Sequence, residues 1–247
     1  MEYLTNLPDP GLREWSIYQC VHGSRAYGLD VEGSDVDVIS ICVPPISYYL
    51  GLERYGSDGS RHVTPDVVVY ELRKYVSIAY KGNLNALEPL WTTGAQMTEA
   101  GAMLRDHRDL FVGRHVYTSI VGMAKAHGAK HQRATHPDAP NWKELMHTVR
   151  ALRMGIEFLT DGELKVNRDK DRDELLAIKQ GAWSIERVEA EVQRLIRAMA
   201  EAYIVSKLPD RPDVQAISKL CEEVIGCAWD TQCYLGSDSG PTGSSGS

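Results

Sequence analysis

The chain has 247 residues, 43% of them hydrophobic and 25% charged, an ordinary balance that leaves room for a real core in one large domain or two small ones. No apolar run approaches the ~20 residues of a membrane span, and the start, MEYLTNLPDPGLREW, lacks the basic-then-apolar pattern of a secretory signal. A cytoplasmic location without membrane attachment is therefore expected, and a net charge of −7 excludes broad, sequence-independent coating of nucleic acid, which wants a basic domain overall.

In chain order, the first 90 or so residues read as mixed α/β. Ser16 to Val21 predicts a short strand that ends in His22-Gly23-Ser24. Asp35 to Val43 (DVDVISICV) alternates, is rich in Val and Ile, and stops at Pro44-Pro45, as a strand should. Ile46 to Arg61 shows little pattern and reads as a loop. His62 to Tyr70 (HVTPDVVVY) predicts a third strand, and Glu71 to Lys81 a helix with Leu72, Tyr75, Val76 and Ala79 on one face.

From about residue 100 the pattern is helical. Val112 to Lys130 is one helix. Trp142 to Leu159 is a stronger one, with Leu145, Met146, Val149, Leu152, Ile156 and Leu159 in a stripe that Asp161-Gly162 ends. Arg172 to Gln180 is short. Ser184 can cap a helix running to Leu208, and Asp213 a last one through Val224. The tail from Gly236 to Ser247 is glycine and serine with little else, and reads as a linker. The expected architecture is an α/β (α+β) domain with a small mixed sheet over residues 1–105, then an all-helical domain over 106–233, then a disordered tail over 234–247. Two lobes imply a cleft, where ligands bind.

The five cysteines form no Cys-x-x-Cys pair, so neither a disulfide framework nor a common zinc site is indicated. Cys221, Cys227 and Cys233 are too widely spaced for a zinc site and read as buried small apolar side chains. Charge is uneven: residues 101–155 carry nine Lys/Arg against four Asp/Glu, and five of the eight histidines fall between His107 and His136. A basic middle on an acidic protein suits a phosphate-bearing ligand.

The chemistry concentrates in HGSRAYGLDVEGSDVDVISI, residues 22–41. Gly23-Ser24 follows a strand and precedes a segment able to form one helical turn. Glycine lets the backbone approach a phosphate closely, the turn offers free N–H donors, Ser24 adds a hydroxyl and Arg25 a charge. Asp35 and Asp37 lie two apart on the second strand, so their carboxylates share a face about 7 Å apart. Such like charges repel unless cations sit beside them. Magnesium, with manganese as the alternative, takes oxygen ligands and shares them with substrate phosphates. A pair of ions can activate a hydroxyl and stabilise leaving pyrophosphate. Asp66 and Glu71 are the candidates for a third carboxylate. Asp66 shares parity with Val68 and Tyr70, whereas Glu71 has the opposite parity and opens a helix, so Asp66 is preferred.

Gly-Ser, a spacer of about ten residues and Asp-x-Asp on a strand together resemble the signature of the DNA polymerase beta nucleotidyltransferase superfamily. The later text DVVVYELRKYVSIAYKGNLNALEPLW, with KELMHTVRALRMGIEFLTDGEL, resembles one bacterial and phage branch of that superfamily, proposed to act in RNA repair. The resemblance covers roughly residues 18–220. It implies Gly23 and Ser24 on the triphosphate, Asp35 and Asp37 on two metal ions, and Asp66 as the third carboxylate. The acceptor does not carry over, because the superfamily modifies nucleic acids, antibiotics and protein side chains alike.

Outside the motif, Lys74, Lys81 and Asn83 follow the third strand. Lys143, His147 and Arg150 occupy one face of the strong helix, a cationic stripe able to clamp phosphates. Charged helix faces are as often merely wet. His22 reads as a packed neighbour, His127 and His131 as part of a basic helix, and Tyr27, Trp91 and Trp142 as core aromatics before stacking platforms. The expected activity moves a nucleoside monophosphate from a nucleoside triphosphate such as ATP to an acceptor hydroxyl, releasing pyrophosphate, with RNA or a tRNA end as acceptor. The alternatives are nucleotidylation of a protein side chain, as in toxin–antitoxin systems, and a nucleotide-sensing module without catalysis. No oligomeric state is assigned.

Overall fold

The computed structural model describes residues 7, 9–132 and 140–237. The first part runs α1 (Pro10–Trp15), β1 (Ser16–Val21), α2 (Gly23–Ala26), β2 (Val38–Cys42), α3 (Ser47–Leu50), β3 (Ser60–Thr64), β4 (Val67–Glu71), α4 (Leu72–Tyr80), α5 (Leu84–Trp91), β5 (Gln96–Met97) and α6 (Glu99–Asp106). After a 3-10 turn at Arg108–Phe111 follow α7 (Val116–Gln132), α8 (Trp142–Asp161), α9 (Arg172–Lys179), α10 (Ile185–Val205) and α11 (Val214–Ser237).

The five strands form one mixed sheet in the order β3-β4-β2-β1-β5, in which only β2 and β4 run parallel. β1 and β2 are central, which is why both read as nearly continuous apolar runs and are buried along their length. Register decides what meets at the strand ends. Cys20 pairs with Ile39 and Ile39 with Val68, so these three share the face that looks toward the helices. Two residues further along, the same face carries His22, Asp37 and Asp66. The ladder reaches them: the His22 amide donates to the Asp37 carbonyl (2.8 Å) and the Val38 amide to the Asp66 carbonyl (2.7 Å).

Four expectations need correction. The strand read over Asp35 to Val43 begins only at Val38, because both its neighbours end there, and Asp35 and Asp37 stand on the approach to it. The strand read over His62 to Tyr70 is a hairpin, β3 and β4, turned at Pro65-Asp66. Pro65 has no N–H for a ladder, and the Asp66 amide is taken by Thr64 Oγ1 (3.3 Å). The segment read as a loop, Ile46 to Arg61, contains α3 and the start of β3. The last helix passes Val224 and continues to Ser237, through Gly236; the rest of the expected tail, from residue 238, lies outside the described residues.

The helical half gathers on α8, which packs on α7, α9 and α10. Asn141 caps it through the Glu144 amide (3.1 Å), and Gly162, at φ 77°, ends it in the left-handed conformation. Its stripe of Leu145, Met146, Val149, Leu152 and Leu159 is buried, each side chain worth about 1.5–3 kcal/mol of transfer free energy. One hydrophobic core runs from Ile17 to Ala228, and α11 returns to pack on α6 and α4. Trp229 on α11 donates its indole N–H to the Pro44 carbonyl (3.1 Å) at the end of β2. Among the described residues no helix is long and apolar enough to cross a membrane.

Candidate active site

A cleft of about 770 Å³ opens where the row His22, Asp37 and Asp66 faces α8, a size that holds a nucleotide. Gly23, Ser24 and Asp35 complete its sheet-side wall, and Lys143, His147, Arg150 and Lys179 stand on the helical side.

Gly23 opens α2 at φ 66°, a conformation that glycine adopts without the Cβ clash. A Cβ there would lie 2.0 Å from Asp37 Oδ2. The turn and the carboxylate are thus pressed together, and only glycine permits it. The turn is closed by the Leu29 amide on the Ser24 carbonyl (2.8 Å) and the Tyr27 amide on the Gly23 carbonyl (3.2 Å). Its first amides have no partner further back in the helix, and Gly23 and Ser24 line the cleft. Arg25, expected on a phosphate, is exposed and does not line the cleft. Its guanidinium donates to the Ser34 (2.9 Å) and Asp35 (3.2 Å) carbonyls, holding the loop that carries Asp35.

Among the described residues, the carboxylates of Asp35, Asp37 and Asp66 take no hydrogen bond or ion pair from the protein. Of the two candidates for third carboxylate, Asp66 lines the cleft. Glu71 is buried, accepts the Arg73 (2.9 Å) and Lys74 (3.2 Å) amides, and so caps α4. Among the described residues no three Asp, Glu, His or Cys side chains stand close enough to hold one ion. The expected three-carboxylate shell is therefore not preassembled, because Asp66 sits on a separate turn. The donor chemistry still fits a divalent cation: hard, unpaired carboxylate oxygens on adjacent strand ends, with phosphate and water free to fill the remaining positions.

The expected cationic stripe on α8 is corrected residue by residue. Lys143 lines the cleft, exposed and without a carboxylate partner among the described residues. Arg150 is 3% exposed and turned inward, its Nη1 2.6 Å from Glu88 Oε1, so it is not a free clamp. Burial, reinforced by Arg150 and Lys143, pushes the His147 imidazole down to about 4. It is neutral at pH 7 and offers one donor and one acceptor. In the unfolded chain the same imidazole takes a proton near 6.5. The unfolded state then binds more protons between about 4 and 6.5, so stability should fall as pH drops through that window. His147→Gln removes this titration, and urea unfolding at a series of pH values should give a flatter profile for the variant between pH 6.5 and 4. Lys74 leaves the site altogether. On the outer side of α4 it pairs with Asp58 (3.0 Å) and packs beneath Gly59.

Two features of the site were not singled out from the sequence. Lys179 lines the cleft from the end of α9, where among the described residues its ammonium donates only to the Leu29 carbonyl (3.5 Å); no local signal marks it. Glu88 was detectable as a lone acid inside the apolar run NALEPLW. It is fully buried under the cleft floor, accepting the Tyr27 hydroxyl (2.7 Å) and Arg150, with His22 Nε2 at 3.7 Å. Arg150 also lies 3.6 Å over the Tyr27 ring. Burial opposes the Arg150 charge, but Glu88 and Tyr27 hold its pKa above the ordinary value. For His22, burial outweighs the pull of Glu88 and lowers its pKa. Tyr27 is thus buried and pinned, Trp91 packs on Phe158 away from the cleft, and Trp142 packs over Gly181. His127 donates to or accepts from Thr148 Oγ1 (2.8 Å), while the side chain of His131 lies outside the described residues.

A family model described as "RNA repair pathway DNA polymerase beta family" matches residues 15–223. No curated protein and no solved structure matches the chain.

Proposed function

The chain belongs to the RNA repair pathway DNA polymerase beta family, and from that premise we propose that it is a metal-dependent nucleotidyltransferase whose acceptor is a hydroxyl of RNA, with a tRNA end as the first candidate. The single observation that carries this reading is the trio Asp35, Asp37 and Asp66. Their unpaired carboxylates line one cleft, against a glycine turn that presents Ser24.

In the proposed reaction the acceptor oxygen forms a bond to the α-phosphorus of a nucleoside triphosphate. The bond from that phosphorus to the bridging oxygen breaks, pyrophosphate leaves, and the acceptor proton passes to Asp66 or to water. Asp35 and Asp37 are the residues to hold divalent ions, magnesium first, and Asp66 serves the acceptor side. When bound, such ions supply the positive charge that lowers the cost of alkoxide formation and of phosphate charge in the transition state. Ser24 and the Gly23 turn hold the distal phosphates through N–H and O–H donors. Lys143 and Lys179 neutralise phosphate charge from the helical side, and neutral His147 can hydrogen-bond without adding charge. Arg25 keeps the Asp35 loop in place.

The test is incorporation of each α-labelled nucleoside triphosphate into total tRNA with magnesium. Label in RNA is the expected result, and the nucleotide that labels defines the base preference. Label in lysate protein instead would replace the acceptor by a protein hydroxyl. A nucleotide that binds but is never transferred would leave a sensing module.

A further inference from the structure

The link between the two parts of the candidate site is held from the helical half. Residues Tyr27 to Asp30 join the Gly23-Ser24 turn to the loop that carries Asp35, and their successive carbonyls face donors from residues 168–179. The Arg168 amide donates to the Tyr27 carbonyl (2.9 Å) and Arg172 Nε to that of Gly28 (2.7 Å). Lys179 Nζ reaches the Leu29 carbonyl (3.5 Å), and Arg172 Nη2 stands 3.5 Å from that of Asp30. Gly28 bends the link at φ 68°, where a Cβ would meet Asp169 Oδ1 at 3.3 Å. The donor segment is itself anchored on α8. Arg153 pairs with Asp171 (3.0 Å) and Glu174 (2.7 Å), and Glu157 pairs with Arg168 (2.7 Å), which also holds Asp171 (2.9 Å).

Arg172 differs from the other arginines of this group. Its side chain is 41% exposed, and its ion-pair partner among the described residues, Asp173, is fully exposed and 4.0 Å away, a pairing that contributes little to stability. Its guanidinium is spent on the link instead. Beyond the link, Val31, Glu32 and Gly33 are exposed, and Arg25 grips the far end of the loop at the Ser34 and Asp35 carbonyls. Two arginines thus bracket the loop, and Asp35 keeps its place relative to Ser24 while both ends are held. We infer that Arg172 is a positioning residue for nucleotide transfer: reaching across from α9, it sets the register between the turn that holds the distal phosphates and the Asp35 carboxylate. The inference rests on the transferase reading above. The turn's own bonds, from the Tyr27 amide to the Gly23 carbonyl and from the Leu29 amide to the Ser24 carbonyl, do not involve Arg172. Phosphate binding therefore outlasts its loss, whereas alignment of the reacting atoms does not. A planar guanidinium presents two N–H groups to two carbonyls at once, which a single ammonium cannot do.

The experiment measures kcat and KM for the nucleoside triphosphate in wild type, Arg172→Ala and Arg172→Lys, with whichever acceptor the wild type labels. Nucleotide-binding sites are titrated with a fluorescent nucleoside triphosphate, so that kcat is counted per competent site, and melting temperatures are recorded. Arg194→Ala, which removes an exposed partner of Glu191 in the same carboxylate network, is the control and should transfer at the wild-type rate. For Arg172→Ala, kcat per site should fall about a hundredfold, the cost of about 1 Å of misplacement, with KM within about threefold of wild type. The melting temperature should stay close to wild type. Arg172→Lys can still reach the Gly28 carbonyl and should recover about tenfold of the rate. If Arg172→Ala does not fold, Arg172→Gln, which keeps most of the stem, carries the comparison. Wild-type kcat per site in the alanine variant would overturn the inference, as would a loss of rate that merely tracks the loss of nucleotide-binding sites. A lysine variant as slow as the alanine one would overturn it too, because the Gly28 contact would then not be what matters. A wild type that labels no acceptor overturns the transferase reading and this inference with it, an outcome recognised before any variant is compared.

Discussion

Asp35→Asn and Asp37→Asn should each abolish transfer of a labelled nucleotide, lowering the rate by about a thousandfold or more, or about 4 kcal/mol of transition-state stabilisation. The expectation follows from the lack of any protein partner for these carboxylates among the described residues. A charge held unpaired in a cleft contributes little to the fold, so neutralising it should remove function without removing structure. The melting temperature should stay level or rise slightly, because repulsion with Asp66 at the next strand end is relieved. Single-turnover transfer and thermal melting on the same preparations check both halves. Retained transfer would move the chemistry away from this pair, and a collapsed melting temperature would make the residues structural. Gly23→Ala is a steric route to the same defect. It adds a Cβ 2.0 Å from Asp37 Oδ2 at φ 66°, a backbone position worth about 1–2 kcal/mol against any L side chain.

The largest stability effect is expected at Glu88→Ala. Arg150 would remain buried without its counter-charge, and the Tyr27 hydroxyl without its acceptor. Removing one partner of a buried pair costs about 3–5 kcal/mol, a large share of the roughly 5–15 kcal/mol that holds a domain together. Urea unfolding should show the midpoint falling with the slope unchanged. The double change Glu88→Leu/Arg150→Met, which removes both charges and keeps volume, should recover most of the loss. Equal instability of the single and double variants would mean that shape, not charge, is what the site requires. The pair links α5 of the sheet half to α8 of the helical half, directly below the cleft, so its loss should also loosen nucleotide binding.

The candidate site was legible in local sequence where its assembly depends on local spacing. Gly23-Ser24 after a strand, Asp35 and Asp37 two apart, and the parity of Asp66 with Val68 are short-range facts, and each placed its residue at the cleft. The same holds for the caps: Ser184 and Asp161-Gly162 bound their helices through side-chain and backbone bonds a few residues long. What only the tertiary structure decided is where charges go. Arg150 and Lys143 lie on one helix face and look alike in sequence, yet one is buried on Glu88, 62 residues away, and the other faces the cleft. Lys74 is drawn to Asp58 across a hairpin whose turn the sequence hid inside an apparent strand. α11 extends to Ser237, and its packing on the sheet half crosses nearly the whole chain. Spacing along the chain governs which side chains share a face. Electrostatic pairing and burial depend on distance in space, which one-dimensional order does not contain.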